Sequence, residues 1–330
     1  MNVLVTGGAG YIGGTVATRM MQAGHRVTVL DNLCRSRREQ VPAGAEFVQC
    51  DIADRERVER LLRELQPDGV MHFAALIEAG ESMQKPELYF RNNTASTLAL
   101  MESMLAAKVN KLVFSSTAAV YGEPVSVPIL EGAQLMPTNA YGESKLLAEH
   151  MMNWFHRVHG LRYASLRYFN VAGALPGRGE AHEPETHIIP LILDVALGRR
   201  DSITIFGDDY DTPDGTCIRD FIHVQDLADA HVAALELLET KSRLICNLGN
   251  ERGFSVKEVI DAARRVTGHA IPVQIKARRA GDPARLVAES AVARRELGWT
   301  PAIPDIDSIV ASAWAWQQQR YQSTTSASAA

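Results

Sequence analysis

Cysteine is scarce and scattered. The 330-residue chain has four, Cys34, Cys50, Cys217 and Cys246, at separations that match neither a zinc-ligand pattern nor a C-x-x-C pair. No metal ligand set is expected, and reduced thiols in a cytoplasmic protein are. Long hydrophobic runs are also missing, and nothing approaches the roughly 20 apolar residues needed to span a bilayer. No signal peptide precedes the first apolar run, since Met1-Asn2 leads straight into Val3-Leu4-Val5. Excess charge of either sign is absent. A formal net charge of -5 marks neither nucleic acid nor an anionic membrane as a partner, and Arg35-Ser36-Arg37-Arg38 reads as a solvated loop. What remains is 46% hydrophobic and 22% charged residues, ample for the core of one large or two smaller domains.

The first eighty residues alternate short apolar runs with helical periodicity. Val3 to Thr6, Arg26 to Leu30, Glu46 to Gln49 and Val70 to Phe73 read as buried strands. Strands separated by crossover helices predict a parallel sheet covered on both faces. The turn after the first strand is Gly7-Gly8-Ala9-Gly10-Tyr11-Ile12-Gly13. Glycines at this spacing suit a sharp turn, close approach of backbone to a pyrophosphate, and a helix N-terminus offering amide donors. Asp31 ends the second strand, where a carboxylate can bond an adenosine ribose and repel a 2'-phosphate, so NAD is favoured over NADP. Asp51-Ile52 follows the third strand, either beside an adenine or approaching a helix cap at Asp54. Phe73-Ala74-Ala75 lies at the carboxyl end of the fourth strand, where ligands sit in open α/β sheets.

A helical stretch from Pro86 includes Asn92-Asn93, and the strand beginning Lys111-Leu112-Val113-Phe114 delivers the hydroxyls Ser115-Ser116-Thr117. Tyr141-Gly142-Glu143-Ser144-Lys145 then places a phenol and an ammonium one helical turn apart. A cation near a phenol favours the phenolate, so such a pair can take a proton from an alcohol. Read from the residues alone, Ser115 to Thr117 also fits a turn, Asn170 a turn residue, Phe206 a core aromatic and Asp282 a cap before Pro283.

Together these segments resemble the extended short-chain dehydrogenase/reductase family, and within it the UDP-glucose (UDP-galactose) 4-epimerase branch. The resemblance runs over nearly the whole chain. It rests on Gly7 to Gly13, Leu30 to Leu33, His72 to Ala75, Gly80 to Ser82, Ser115 to Gly122, Tyr141 to Lys145, Arg167 to Asn170, Gly198 to Asp201, Phe206 to Tyr210, Arg219 to Val224 and Arg279 to Asp282. It implies a Rossmann-type doubly wound parallel sheet at 1–170 that binds NAD. A smaller α/β substrate-binding lobe is implied over 171–320, with some segments returning to the first domain, and 321–330 is expected to be a disordered tail.

The implied activity is reversible 4-epimerisation of a UDP-hexose through a 4-keto sugar, with Tyr141, Lys145 and Thr117 as catalytic residues. NAD would lie against Gly7, Gly10, Tyr11, Ile12, Gly13, Asp31, Asn32, Asp51, Ile52, Phe73, Ala74, Ala75, Asn92, Ser115, Tyr141, Lys145 and Phe169. The UDP-sugar would be held by Thr117, Asn170, His187, Ile188, Thr204, Phe206, Arg219, Arg279, Asp282 and Leu286. Lys145 is expected to hold the Tyr141 pKa down. The family also implies a homodimer in which the helices of 86–107 and 141–159 form a four-helix bundle, although burial against the sheet would equally explain their apolar faces. Other UDP-sugars, N-acetylhexosamine, pentose or uronate, are close rivals. A 4,6-dehydratase would want an acid-base pair where Thr117 is followed by Ala118-Ala119, and a non-catalytic NAD-binding regulator would be expected to lack the tyrosine, lysine or hydroxyl. Three positions depart from well-known members: Ile77, beside Glu78, replaces a lysine near the cofactor phosphates, His187 replaces an amide, and Leu286 replaces a tyrosine.

Overall fold

The computed structural model describes residues 1–279 and 282–328, the side chains of 323–328 excepted. The first half of the chain runs β1 (Asn2–Thr6), α1 (Tyr11–Gln22), β2 (Arg26–Asp31), β3 (Glu46–Gln49), α2 (Arg55–Leu65), β4 (Gly69–His72), α3 (Ala79–Ser82), α4 (Pro86–Tyr89), α5 (Ser96–Ala107), β5 (Lys111–Thr117), α6 (Ala140–His159) and β6 (Arg162–Tyr168). The second half runs β7 (Asn170–Ala172), α7 (Ile188–Ala196), β8 (Ile203–Phe206), β9 (Ile218–Arg219), β10 (Phe221–His223), α8 (Val224–Leu237), β11 (Arg243–Leu248), β12 (Phe254–Ser255), α9 (Val256–Thr267), β13 (Val273–Lys276), β14 (Arg285–Leu286), α10 (Ala291–Leu297) and α11 (Ile306–Ser328).

Seven parallel strands form the main sheet in the order β11-β6-β5-β4-β1-β2-β3. Strand side chains alternate between faces, and β1 shows the result. Val3 and Val5 pack with Val16, Met20, Leu227 and Leu235 of α1 and α8. Leu4 packs instead with Val58, Leu62, Leu100 and Met104 of α2 and α5. Burial on both faces explains why these strands read as continuous apolar runs. The connection order reverses between β1 and β4, which opens a crevice beyond their carboxyl ends.

Local chemistry sets the helix ends. Asn139 accepts a hydrogen bond from the Gly142 amide at 2.8 Å to start α6, and Ser255 and Glu258 form a reciprocal capping box at α9. Between α4 and α5 the helix widens into a π stretch, Phe90–Ala95, a feature common at functional sites. Asn93 in that stretch bonds both backbone groups of Leu76, at 2.8 and 2.9 Å, and the Ser144 hydroxyl at 3.0 Å. It thereby ties the segment after β4 to α6.

The second half builds a smaller lobe around α7, α9, α11, β8 and β10. Short sheets, β7 with β10, β8 with β13, and β9 with β12 and β14, flank it. The stretch 224–248 goes back to the large sheet, where α8 packs on α1 and β11 extends the edge beside β6. The backbone of α11 stays helical to Ser328, through most of the 321–330 stretch expected to be a disordered tail. With no glycine or proline after Ile306, the sequence offers no helix breaker there; residues 329–330 lie outside the described residues. Among the described residues no helix is long and apolar enough to cross a membrane.

The glycine turn packs tightly against the segment that follows β4. Gly7 has φ of +70°, and a Cβ there would lie 2.5 Å from the Ala74 amide nitrogen. Gly7→Ala should lower the unfolding free energy by at least about 1 kcal/mol from the left-handed backbone alone, seen as a lower urea midpoint.

Candidate active site

A cavity of about 350 Å³ opens at the carboxyl ends of β1, β4 and β5. Its wall takes Gly7, Gly10, Tyr11, Ile12 and Gly13 from the first turn, Asp31 and Asn32 from the end of β2, and Asp51 and Ile52 from the end of β3. Phe73, Ala74, Ala75, Asn92, Ser115, Thr117, Tyr141, Lys145, Phe169, Asn170 and His187 complete the predicted set that it brings together. The turn can cradle a pyrophosphate. Gly10 starts α1 without a side-chain cap, which leaves amide donors for an anion, and a Cβ at Gly13 would sit 2.4 Å from the Gly7 carbonyl oxygen. Asp31 accepts from the Ala9 and Leu33 amides at 3.1 and 2.8 Å and from the Ser36 hydroxyl at 3.1 Å. Its carboxylate therefore holds the glycine turn and its own loop together. Asp51 bonds Asn32 at 2.9 Å and the Ala53 amide at 2.8 Å, with Asp54 capping α2.

Tyr141 and Lys145 share the buried face of α6, as their spacing requires. Burial pushes the Tyr141 phenol above its ordinary value; a hydrogen bond with Thr117 pulls the other way and the Glu78 charge adds to the rise. The expected depression by Lys145 does not appear. Desolvation dominates, and the ammonium donates 2.9 Å to the Ser115 carbonyl oxygen and sits 4.8 Å from the centre of the Phe114 ring. Burial in turn brings Lys145 down to about 7, opposed by Glu149. His72, fully buried between the hydroxyls of Thr6 and Thr97 at 2.6 and 2.8 Å, is driven to about 3 by desolvation and by the Lys145 charge. Ser115 bonds the Tyr168 phenol.

Behind this row lies a buried network that sequence reading missed. Glu149, 4% exposed, accepts from Ser116 at 2.6 Å, Ser165 at 2.8 Å and Arg167 Nε at 3.0 Å. Arg167, 3% exposed, also donates to the Tyr121 hydroxyl at 3.0 Å, and Tyr121 donates to Asn247 at 2.7 Å. The available signal was that Glu149 continues the spacing of Tyr141 and Lys145 down one helix face.

The remaining predicted residues lie outside the cavity wall. Arg219 and Arg279 both bond Asp282, at 2.7 and 3.0 Å, and Arg279 covers the Phe206 ring at 4.9 Å. Thr204 is two residues before Phe206 on β8. Leu286 pairs with Arg219 across β14 and β9 and, like Phe169, packs against the cluster that holds Tyr121. Ile188 opens α7 and packs on the smaller lobe's core. Asp220, unassigned in the sequence reading, orients this corner by accepting from the Asn250, Glu251 and Ala288 amides at 2.6, 3.1 and 3.0 Å.

At the mouth, His187 Nδ1 lies 2.8 and 2.9 Å from carboxylate oxygens of Glu180 and Glu185, and His182 Nδ1 lies 3.0 Å from Glu180. These four offer metal-ligand atoms within 4.8 Å of one another. Two ligands about 2.0–2.2 Å from a tetrahedral ion would stand roughly 3.3 Å apart, so the observed spacing is that of hydrogen bonds. Burial alone would lower the His187 pKa, but the bonds to Glu180 and Glu185 outweigh it and raise it to about 10.

The pH dependence follows with a definite sign. An exposed lysine titrates near about 10.4; held at about 7, Lys145 takes up a proton on unfolding between those values, so its contribution favours the fold increasingly as pH rises. His187 acts in the opposite sense over about 6.5 to 10 and is untouched by substitution at 145. The stability gap between wild type and Lys145→Met should therefore shift in favour of the wild type from pH 7 to 10, measured by chemical denaturation.

The chain matches the NAD dependent epimerase/dehydratase family over residues 3–249. It is 53% identical to the UDP-glucose 4-epimerase of Streptomyces lividans over 314 residues, covering 95% of each chain. The crystal structure of UDP-glucose 4-epimerase from Brucella ovis in complex with NAD superposes with a TM-score of 0.93 at 44% identity, covering 95% of this chain and 97% of that one. The UDP-glucose-4-epimerase of Stenotrophomonas maltophila with bound NAD and formylated UDP-arabinopyranose gives 0.95 at 40% identity, covering 98% and 99%.

Proposed function

This chain belongs to the NAD dependent epimerase/dehydratase family, and we propose that it interconverts UDP-galactose and UDP-glucose by reversible epimerisation at C4, through a 4-keto sugar. The observation that carries the reading is one cavity that joins the glycine turn to Tyr141, Lys145 and Thr117. Bound NAD supplies a reversible hydride acceptor, so no net redox change results.

The chain's own residues do the rest. Tyr141 takes the proton of the 4'-hydroxyl and returns it, Thr117 bonds the same oxygen, and Lys145 binds the nicotinamide ribose and stabilises the phenolate once the cleft is filled. Asp31 and Asn32 hold the adenosine ribose, Asp51 and Ile52 flank the adenine, and the turn from Gly7 to Gly13 carries the pyrophosphate. Phe73, Ala74, Ala75, Asn92, Ser115 and Phe169 line the remainder of the cofactor site. On the substrate side Arg219, Arg279 and Asn170 meet the diphosphate, Thr204 and Phe206 the uracil, Asp282 the ribose, and His187, Ile188 and Leu286 the sugar end. The keto sugar must turn over to receive hydride on its other face, so the nucleotide is gripped and the sugar is not. Residues 1–170 with the returning 224–248 hold the cofactor, and most of 171–320 serves the substrate.

Elimination of water would need an acid-base pair beside Thr117, and Ala118-Ala119 supply none. Leu286, where many bacterial relatives carry a tyrosine, leaves room for an N-acetyl group, an extension that failure to turn over UDP-N-acetylglucosamine would remove. A homodimer accounts for the exposed apolar groups on α5 and α6: Leu105 at 44%, Trp154 at 59% and Val158 at 65%.

Proton NMR of UDP-galactose incubated with the protein and NAD should show UDP-glucose appearing. Tyr141→Phe should cut that rate by roughly 10²- to 10⁴-fold; a wild type that leaves UDP-galactose unchanged would refute the substrate. Trp154→Glu should convert a dimer to a monomer in sedimentation velocity, whereas a wild-type monomer would remove the dimer.

A further inference from the structure

We propose that Glu149 is a positioning residue for this reaction: through Ser116 it sets Ser115 and Thr117 against Tyr141 and Lys145, with its carboxylate one helical turn behind the ammonium. The proposal rests on the epimerase reading above. Tyr141, Lys145 and Glu149 succeed one another at four-residue spacing on α6, so the carboxylate lies directly behind the catalytic pair. Four donors reach it, the Ser116 and Ser165 hydroxyls and two nitrogens of Arg167. Those donors come from β5 and β6, so one carboxylate joins the helix that carries the phenol and ammonium to the strand that carries the hydroxyls. Ser116 stands between Ser115, whose carbonyl holds the Lys145 ammonium, and Thr117, which lines the cavity with the phenol.

The electrostatic role follows from what faces Lys145. Tyr141 and Glu149 flank it on α6 and His72 acts on it from β4, with Tyr168 held by the neighbouring Ser115 and Arg167 behind the carboxylate. Burial holds both phenols above their ordinary range and His72 well below its own, so at neutral pH these three are uncharged. Glu149 is thus the negative charge that offsets desolvation of the ammonium. A buried charge pair behind a site need have no such role, since it can simply join elements. The two cases differ in sign: removing the carboxylate should make Lys145 lose its proton more easily, and removing Arg167 while keeping the carboxylate should make it hold on.

The test is the pH profile of kcat for UDP-galactose epimerisation by the NAD-loaded protein. The basic limb, set by loss of the ammonium proton, should move down by about one unit in Glu149→Gln and up in Arg167→Met, the scale of one charge gained or lost nearby. Glu149→Asp should return the limb toward its wild-type position. Ser116→Ala, which keeps both charges, should lower kcat with the limb unmoved. Limbs that stay fixed, or that move the same way in Glu149→Gln and Arg167→Met, would overturn the electrostatic role, and an unchanged kcat in Ser116→Ala would overturn the positioning. Ser116→Ala also keeps the proposal testable if the charge variants do not fold. An inactive wild type would instead count against the substrate, and Glu149 would then be judged by stability: the pH window of the Lys145→Met gap should shift downward in a Glu149→Gln background, and an unshifted window would refute the proposal.

Discussion

The buried ion pair of Glu149 and Arg167 is the constraint on which the catalytic geometry depends. Both groups are almost wholly removed from water, where a charge is tolerable only if paired and hydrogen-bonded. Here the bonds are complete: two serine hydroxyls and a guanidinium fork saturate the carboxylate, and the arginine passes the chain on to Tyr121 and Asn247. Stripping one partner from such a pair costs about 3–5 kcal/mol. That scale makes the pair a register pin for α6 against β5, β6 and β11.

Desolvation is the second theme. The Tyr141 phenol, the Lys145 ammonium and the buried His72 imidazole are each shifted toward the neutral form.

How much of this was legible in the sequence differs by element. The parallel sheet was, because strands buried on both faces must be apolar, as Val3-Leu4-Val5 is. The clustering at the carboxyl edge was also legible: the residues expected to hold the cofactor line one cavity, since Gly7, Gly13 and Asp31 are tied to local turn geometry. The networks were not. Glu149 looks like a solvated helix glutamate until tertiary structure brings Arg167 onto it. Glu180 and Glu185 look like loop charges until they converge on His187. Asp220, caught between two named motifs, gave no local sign that it gathers three distant amides. The α11 backbone failed in the other direction, because a Ser/Thr/Ala composition describes solubility better than it describes conformation.

The segment 173–187 is stitched to both halves of the molecule. Tyr11 donates to the Gly173 carbonyl at 2.6 Å, Arg178 to the Gln40 carbonyl, Arg37 to Glu183 at 2.8 Å and Thr186 to Glu78 at 2.9 Å. From the other lobe, Trp316 donates to the Glu180 carbonyl at 2.9 Å and Ser312 receives the Ala174 amide at 3.1 Å. A segment held from both sides makes its ordering a shared quantity. It cannot move toward one lobe without breaking its bonds to the other, so its position is set jointly by both.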